Sequence, residues 1–148
     1  MFLFSEQPDE ITRLRDALTA ADFTTTGVGA RLGPNGFGFV SGNEIGPLLR
    51  RTDGGSPLET LIRLFLLGAT ASRAAAERAL ALDACEAAGL VSIAGDEVRA
   101  QLMLLPLAYD GHEWLIPSDW SRTRNRATDY VAGVGPASMT LAGLTIRR

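Results

Sequence analysis

The hydrophobic period of this chain changes at Gly89, and no other feature constrains the fold as much. Upstream, apolar residues recur at steps of three and four, the spacing of one helix face. Downstream they fall in short runs bounded by turn residues, as in strands. A helical first part followed by a small sheet is therefore expected, an α+β chain. The best-defined helix begins at Ser56-Pro57-Leu58-Glu59. Ser56 caps it, Pro57 suits its first position, and Glu59 reaches back as in a capping box. Leu58, Leu61, Ile62, Phe65 and Leu66 line one face, with Glu59 and Arg63 as an i,i+4 pair on the other, and Gly68 ends it.

Around this helix the remaining elements are read from caps and breakers. Residues 8–23 make a first helix with Ile11, Leu14 and Leu18 as its stripe, broken by Thr24-Thr25-Thr26-Gly27. The glycine-rich stretch 27–42 reads as a loop between helices. Its Gly36-Phe37-Gly38 lacks the Lys-Ser/Thr that a phosphate loop requires. A short helix covers 43–51, interrupted near Gly46-Pro47, and Thr52-Asp53-Gly54-Gly55 turns the chain. Ser72 caps a helix over 73–80, and another over 82–88 ends on Gly89. Strands follow at 90–93, 98–105 and 114–117, the first two joined by Ala94-Gly95-Asp96-Glu97 and the last two around Asp110-Gly111. Three helices and then three strands is the winged-helix order. The expected fold is thus mostly helical in its N-terminal part, followed by a winged-helix-like unit with a small antiparallel sheet. Residues 1–120 would form this domain and 121–148 a linker and helix.

Charge weighs against nucleic-acid reading by the helix at 82–88. A recognition helix presents Arg, Lys, Asn or Gln to base edges. This one carries Asp83 and Glu86 and no base, and the wing turn adds Asp96 and Glu97, with Arg99 as the nearest cation. Carboxylates there face phosphate repulsively. The net charge of −3 points the same way, and all fourteen basic residues are Arg, which by itself is no phosphate signal. The one basic cluster is Arg122, Arg124 and Arg126, which share a face if the segment is extended. It reads as a solvated linker or as a contact for a nucleic-acid or protein substrate.

No catalytic or metal-binding constellation is visible. His112, the single histidine, sits beside a hairpin turn with no ligand spacing around it. Cys85 lies in an alanine-rich helix and reads as a small buried thiol. One cysteine forms no internal disulfide, which suits a reducing, cytoplasmic compartment. The short apolar start Met1-Phe2-Leu3-Phe4 lacks the basic flank of a signal peptide. The longest apolar stretch, 58–71, is interrupted by Glu59 and Arg63, so no membrane span is expected.

The segment 131–145 is a bend, Gly133-Val134-Gly135, and then a helix that Pro136 opens and that runs to about Leu144. Its spacing Gly133-x-Gly135-Pro136-x-Ser138-x-Thr140-Leu141-Ala142 resembles the joining segment of actinobacterial class I S-adenosylmethionine-dependent methyltransferases, related to the N5-glutamine and N6-adenine enzymes. Further stretches follow in the family's order: Ala30-Arg31-Leu32-Gly33, Ala87-Ala88-Gly89-Leu90-Val91, Glu97-Val98-Arg99-Ala100-Gln101-Leu102 and Trp114-Leu115-Ile116-Pro117-Ser118-Asp119. The stretch 35–42 matches nothing in the family. The ordered set carries the resemblance, since none of its motifs is highly specific.

The resemblance implies an N-terminal accessory domain, concerned with substrate recognition, ahead of a catalytic domain beyond Arg148. That domain would hold the Asp-x-Gly-x-Gly cofactor loop and the Asn/Asp-Pro-Pro-Tyr/Phe motif, both absent here. S-adenosylmethionine would then bind the full-length enzyme and not this fragment. Tyr130, Gly133, Gly135, Pro136, Ser138 and Thr140 would lie next to the cofactor, and the helix from Gly135 to Leu144 would cover its pocket. Partners would be the catalytic domain and a nucleic-acid or protein substrate. The alternative is a stand-alone winged-helix regulator or adaptor.

Overall fold

The computed structural model describes residues 8–41, 44–120 and 131–145, with the side chains of Phe39, Ser41 and Pro136 outside that description. Its centre is helix α5 (Pro57–Phe65), numbered in chain order among the elements below. The capping box forms as the sequence requires: Ser56 Oγ accepts from the Glu59 amide at 3.2 Å, and Glu59 Oε2 accepts from the Ser56 amide at 3.0 Å. The apolar stripe then buries Leu61, Ile62, Leu64 and Phe65 completely, and Leu66 and Leu67 extend the core past the helix end.

The other helices pack around this one. Helix α1 (Pro8–Ala20) contributes Leu18, and α2 (Thr25–Leu32) contributes Val28 and Leu32. Helix α3 (Gly36–Ser41) follows, and α4 (Gly46–Arg51) adds Leu48. Phe23, between α1 and α2, meets Phe65 edge-on with ring centroids 6.5 Å apart. Helices α6 (Arg73–Ala79) and α7 (Leu82–Ala87) bring Ala76, Ala79, Leu82 and Cys85.

Two antiparallel sheets complete the α+β fold. In the first, β1 (Ala71–Ser72), β2 (Val91–Ala94) and β3 (Glu97–Ala100) lie in the order β1-β3-β2, with Ala71 and Ile93 both opposite Val98. The second is a hairpin of β4 (Met103–Tyr109) and β5 (His112–Ser118), in register from Met103↔Ser118 to Tyr109↔His112. Proline has no amide hydrogen, so Pro106, opposite Leu115, and Pro117, opposite Leu104, fit only positions whose nitrogen faces away from the partner strand. Each outer edge thus loses a donor, which discourages pairing with another strand. Helix α8 (Pro136–Leu144) spans the residues expected of it.

Four expectations are corrected. The stretch 27–42 is not a loop but holds most of α2 and all of α3. Thr24 caps α2, accepting from the Gly27 amide. Gly27 allows the close return of the chain, since a Cβ there would stand 2.1 Å from the Asp22 carbonyl oxygen.

The expected strand 98–105 is two strands in different sheets. The Gln101 amide donates to the Leu90 carbonyl, and Leu102 turns into the core between them. The third strand of the first sheet is consequently β1, ahead of α6, and not the strand at 114–117.

Finally, Glu59 and Arg63 are not a surface pair. Glu59 is buried and paired with Arg31, while Arg63 donates to the carbonyls of Leu49 and Thr52 at 2.9 and 3.2 Å. Both side chains are drawn inward because α2 and the α4 turn pack over the start of α5, where polar groups need partners. The first helix also ends at Ala20 rather than at residue 23.

Candidate functional site

Two surfaces differ sharply in chemistry. The first is built by α6, α7 and the β2–β3 turn. Its carboxylates largely satisfy neighbouring groups of the same chain. Glu86 accepts from the Ile93 amide at 3.3 Å, Arg73 pairs with Glu77 at 2.9 Å and stands 4.0 Å from Asp83, and Arg99 stands 3.9 Å from Glu97. Asp83 is almost fully exposed. The α7 face is therefore acidic, with its nearest cations already engaged.

Between α1 and α7 lies a shallow depression lined by Leu14, Leu80, Ala84, Cys85 and Leu90, whose cavity volume of about 10 Å³ holds at most one water. Cys85 is buried there. Burial first, and then the negative charge of Glu10, push its thiol up to about 11, so it stays protonated and unreactive near neutral pH.

The second surface is the β4–β5 hairpin with α8. A strand's side chains alternate between faces. Leu104, Pro106 and Leu115 face inward, and Leu104 and Leu115 join the core. On the same side Glu113 reaches the start of α2, where it accepts from the Thr25 amide and, at 2.6 Å, from the Thr25 hydroxyl. This tie fixes the hairpin to the helical body.

The other side carries Leu105, which still packs against the core, and then Leu107, Tyr109, Trp114 and Ile116. Trp114 is 52% exposed, with the His112 ring edge-on at 6.2 Å. Tyr109 Oη donates to the Ala142 carbonyl at 2.8 Å, which tethers α8 to the hairpin. Leu141 and Leu144 of α8 are nonetheless 68% and 74% exposed, and Val131 is 55% exposed.

Of the residues singled out in the sequence, Tyr130, Arg122, Arg124 and Arg126 lie outside the described residues. Asp119 and Val131, on either side of the residues outside the description, are joined to each other. The Asp119 amide donates to the Val131 carbonyl at 2.9 Å, and the Val131 amide donates to Asp119 Oδ2 at 2.8 Å. Trp120 beside it donates to the Ala100 carbonyl and packs over Gly68.

Gly133 passes Ser118, and Gly135 and Pro136 open α8, with Ser138 and Thr140 on its exposed positions. These residues share one helix and its approach. Among the described residues no group of three or more His, Cys, Asp or Glu is arranged to hold a metal, and no helix is long and apolar enough to cross a membrane.

Sequence reasoning missed the outward hairpin face. The signal was present: Met103-Leu104-Leu105-Pro106-Leu107 and Trp114-Leu115-Ile116 are apolar at both alternating positions, the pattern of strands with two covered faces.

The family described as "Domain of unknown function (DUF7059)" matches residues 20–101, more than half of the chain, and the chain belongs to it. That match covers α2 to α7 and the first sheet, and leaves out α1 apart from Ala20 and the whole β4–β5 hairpin. No curated protein and no solved structure matches the chain.

Proposed function

For this member of the DUF7059 family we propose a role as the N-terminal accessory, substrate-recognition domain of an S-adenosylmethionine-dependent methyltransferase. Its outward hairpin face and α8 would pack against the catalytic domain. The observation that carries this reading is the position of the exposed large hydrophobics. Trp114, Val131, Leu141 and Leu144 all fall on β5, on α8 or on the stretch leading to it, while the first sheet and α7 are polar outside. Exposed large apolar groups concentrated in one stretch of a chain are the usual material of an interaction surface. The same segment, 131–145, is one of the ordered stretches that together carry the methyltransferase resemblance. On this reading Gly133, Gly135, Pro136, Ser138 and Thr140 approach the cofactor from the accessory side, and the catalytic domain supplies the cofactor loop. Calorimetric titration tests it. The natural polypeptide extended past Arg148 should bind S-adenosylmethionine at micromolar concentration, and this chain alone should not. Micromolar binding by this chain alone, or a natural polypeptide that ends at Arg148, would overturn it.

A second reading, a stand-alone winged-helix regulator, draws on the first sheet. The element order α5-β1-α6-α7-β2-β3 with strands arranged β1-β3-β2 supports the winged-helix assignment. The acidic α7 opposes a DNA-reading role for it, because Asp83 and Glu86 stand where base and phosphate contacts are made. The winged helix is better read as a packing module. Salt-dependent binding of duplex DNA by this chain, lost on introducing further carboxylates into α7, would restore the regulator.

A further inference from the structure

We draw no further inference here: the strongest candidate, the exposed apolar face formed by Trp114 of the β4–β5 hairpin with Leu141 and Leu144 of α8, belongs to the surface already described, and nothing else in the structure shows what covers it.

Discussion

Helix α5 and helix α8 are both nine residues long, and both open on a proline. They nevertheless stand in opposite relations to the rest of the molecule. Ser56 and Glu59 close a capping box on α5, and four of its large apolar side chains are fully buried. At α8 the Gly135 cap offers no side chain, and Leu141 and Leu144 face outward. The sequence of α5 is sorted into an apolar stripe and a polar side, and a helix sorted in this way finds its partners within its own chain. That of α8, Pro136-Ala137-Ser138-Met139-Thr140-Leu141-Ala142-Gly143-Leu144, is apolar without a stripe, and the Tyr109 hydrogen bond accounts for only one point of its attachment. The difference separates a helix buried within its own chain from one whose large apolar side chains stay exposed.

Truncation at the two helices gives the widest contrast. Phe65→Ala removes a fully buried ring that meets Phe23, and should destabilise the chain by about 3–5 kcal/mol. Leu141→Ala should change stability by less than about 0.5 kcal/mol. Denaturant unfolding of both variants checks the pair. Equal losses would mean that α8 is as much a part of the core as α5.

The polar start of α5 is the next place to break the comparison. Glu59→Ala removes the partner of Arg31 and half of the capping box, and should cost about 1–3 kcal/mol by the same measurement. Glu59→Gln keeps an acceptor for the Ser56 amide and should cost less. A Gln variant as unstable as the Ala variant would show that the ion pair with Arg31 outweighs the cap.

A smaller effect is expected where the two regions meet. Glu113→Ala frees the Thr25 amide and hydroxyl, and should destabilise by about 1 kcal/mol. Amide exchange should quicken at the start of α2 and in β5, and leave α5 unchanged. Faster exchange throughout would mean that hairpin and helical body unfold as one unit.

Cys85 gives the smallest and most specific effect. Its folded thiol ionises near 11, against an ordinary value of 9.0, so the fold favours the protonated form. The stabilisation is complete below about pH 9 and is lost as pH rises towards 11. Labelling by a thiol reagent at pH 8 should be slow in the folded chain and fast in denaturant, and Cys85→Ala should flatten the decline in stability between pH 9 and 11. Rapid labelling of the folded protein would place the thiol at the surface.

Much of the helical body was legible because each element announced its own ends. Ser56, Ser72 and Gly89 mark caps that the structure forms, and Ala94-Gly95-Asp96-Glu97 and Asp110-Gly111 mark turns that it makes. The glycine-rich stretch was misread because glycine disfavours helices in isolation, whereas Gly27 is retained where the chain passes Asp22 too closely for any side chain. The partition of 98–105 between two sheets was hidden for a different reason. It depends on Leu90 offering its carbonyl to Gln101 and on the core accepting Leu102, which are long-range facts. The ion pair of Glu59 with Arg31 was obscured by the closer spacing of Arg63, since a local helical pair is the simpler pattern. The outward hairpin face is legible in the doubled apolar pattern of β4 and β5, but a short apolar run between turn residues indicates a strand without saying what covers either face.

On the proposed reading the natural polypeptide continues past Arg148, and the most direct measurement is hydroxyl-radical footprinting of this chain and of that longer polypeptide. Trp114, Leu141 and Leu144 should be modified readily in the chain alone and be protected several-fold in the longer polypeptide, with Glu86 and the rest of α7 unchanged. Equal modification of Trp114, Leu141 and Leu144 in both would contradict the account, because the hairpin and α8 would then not be the face on which a catalytic domain packs.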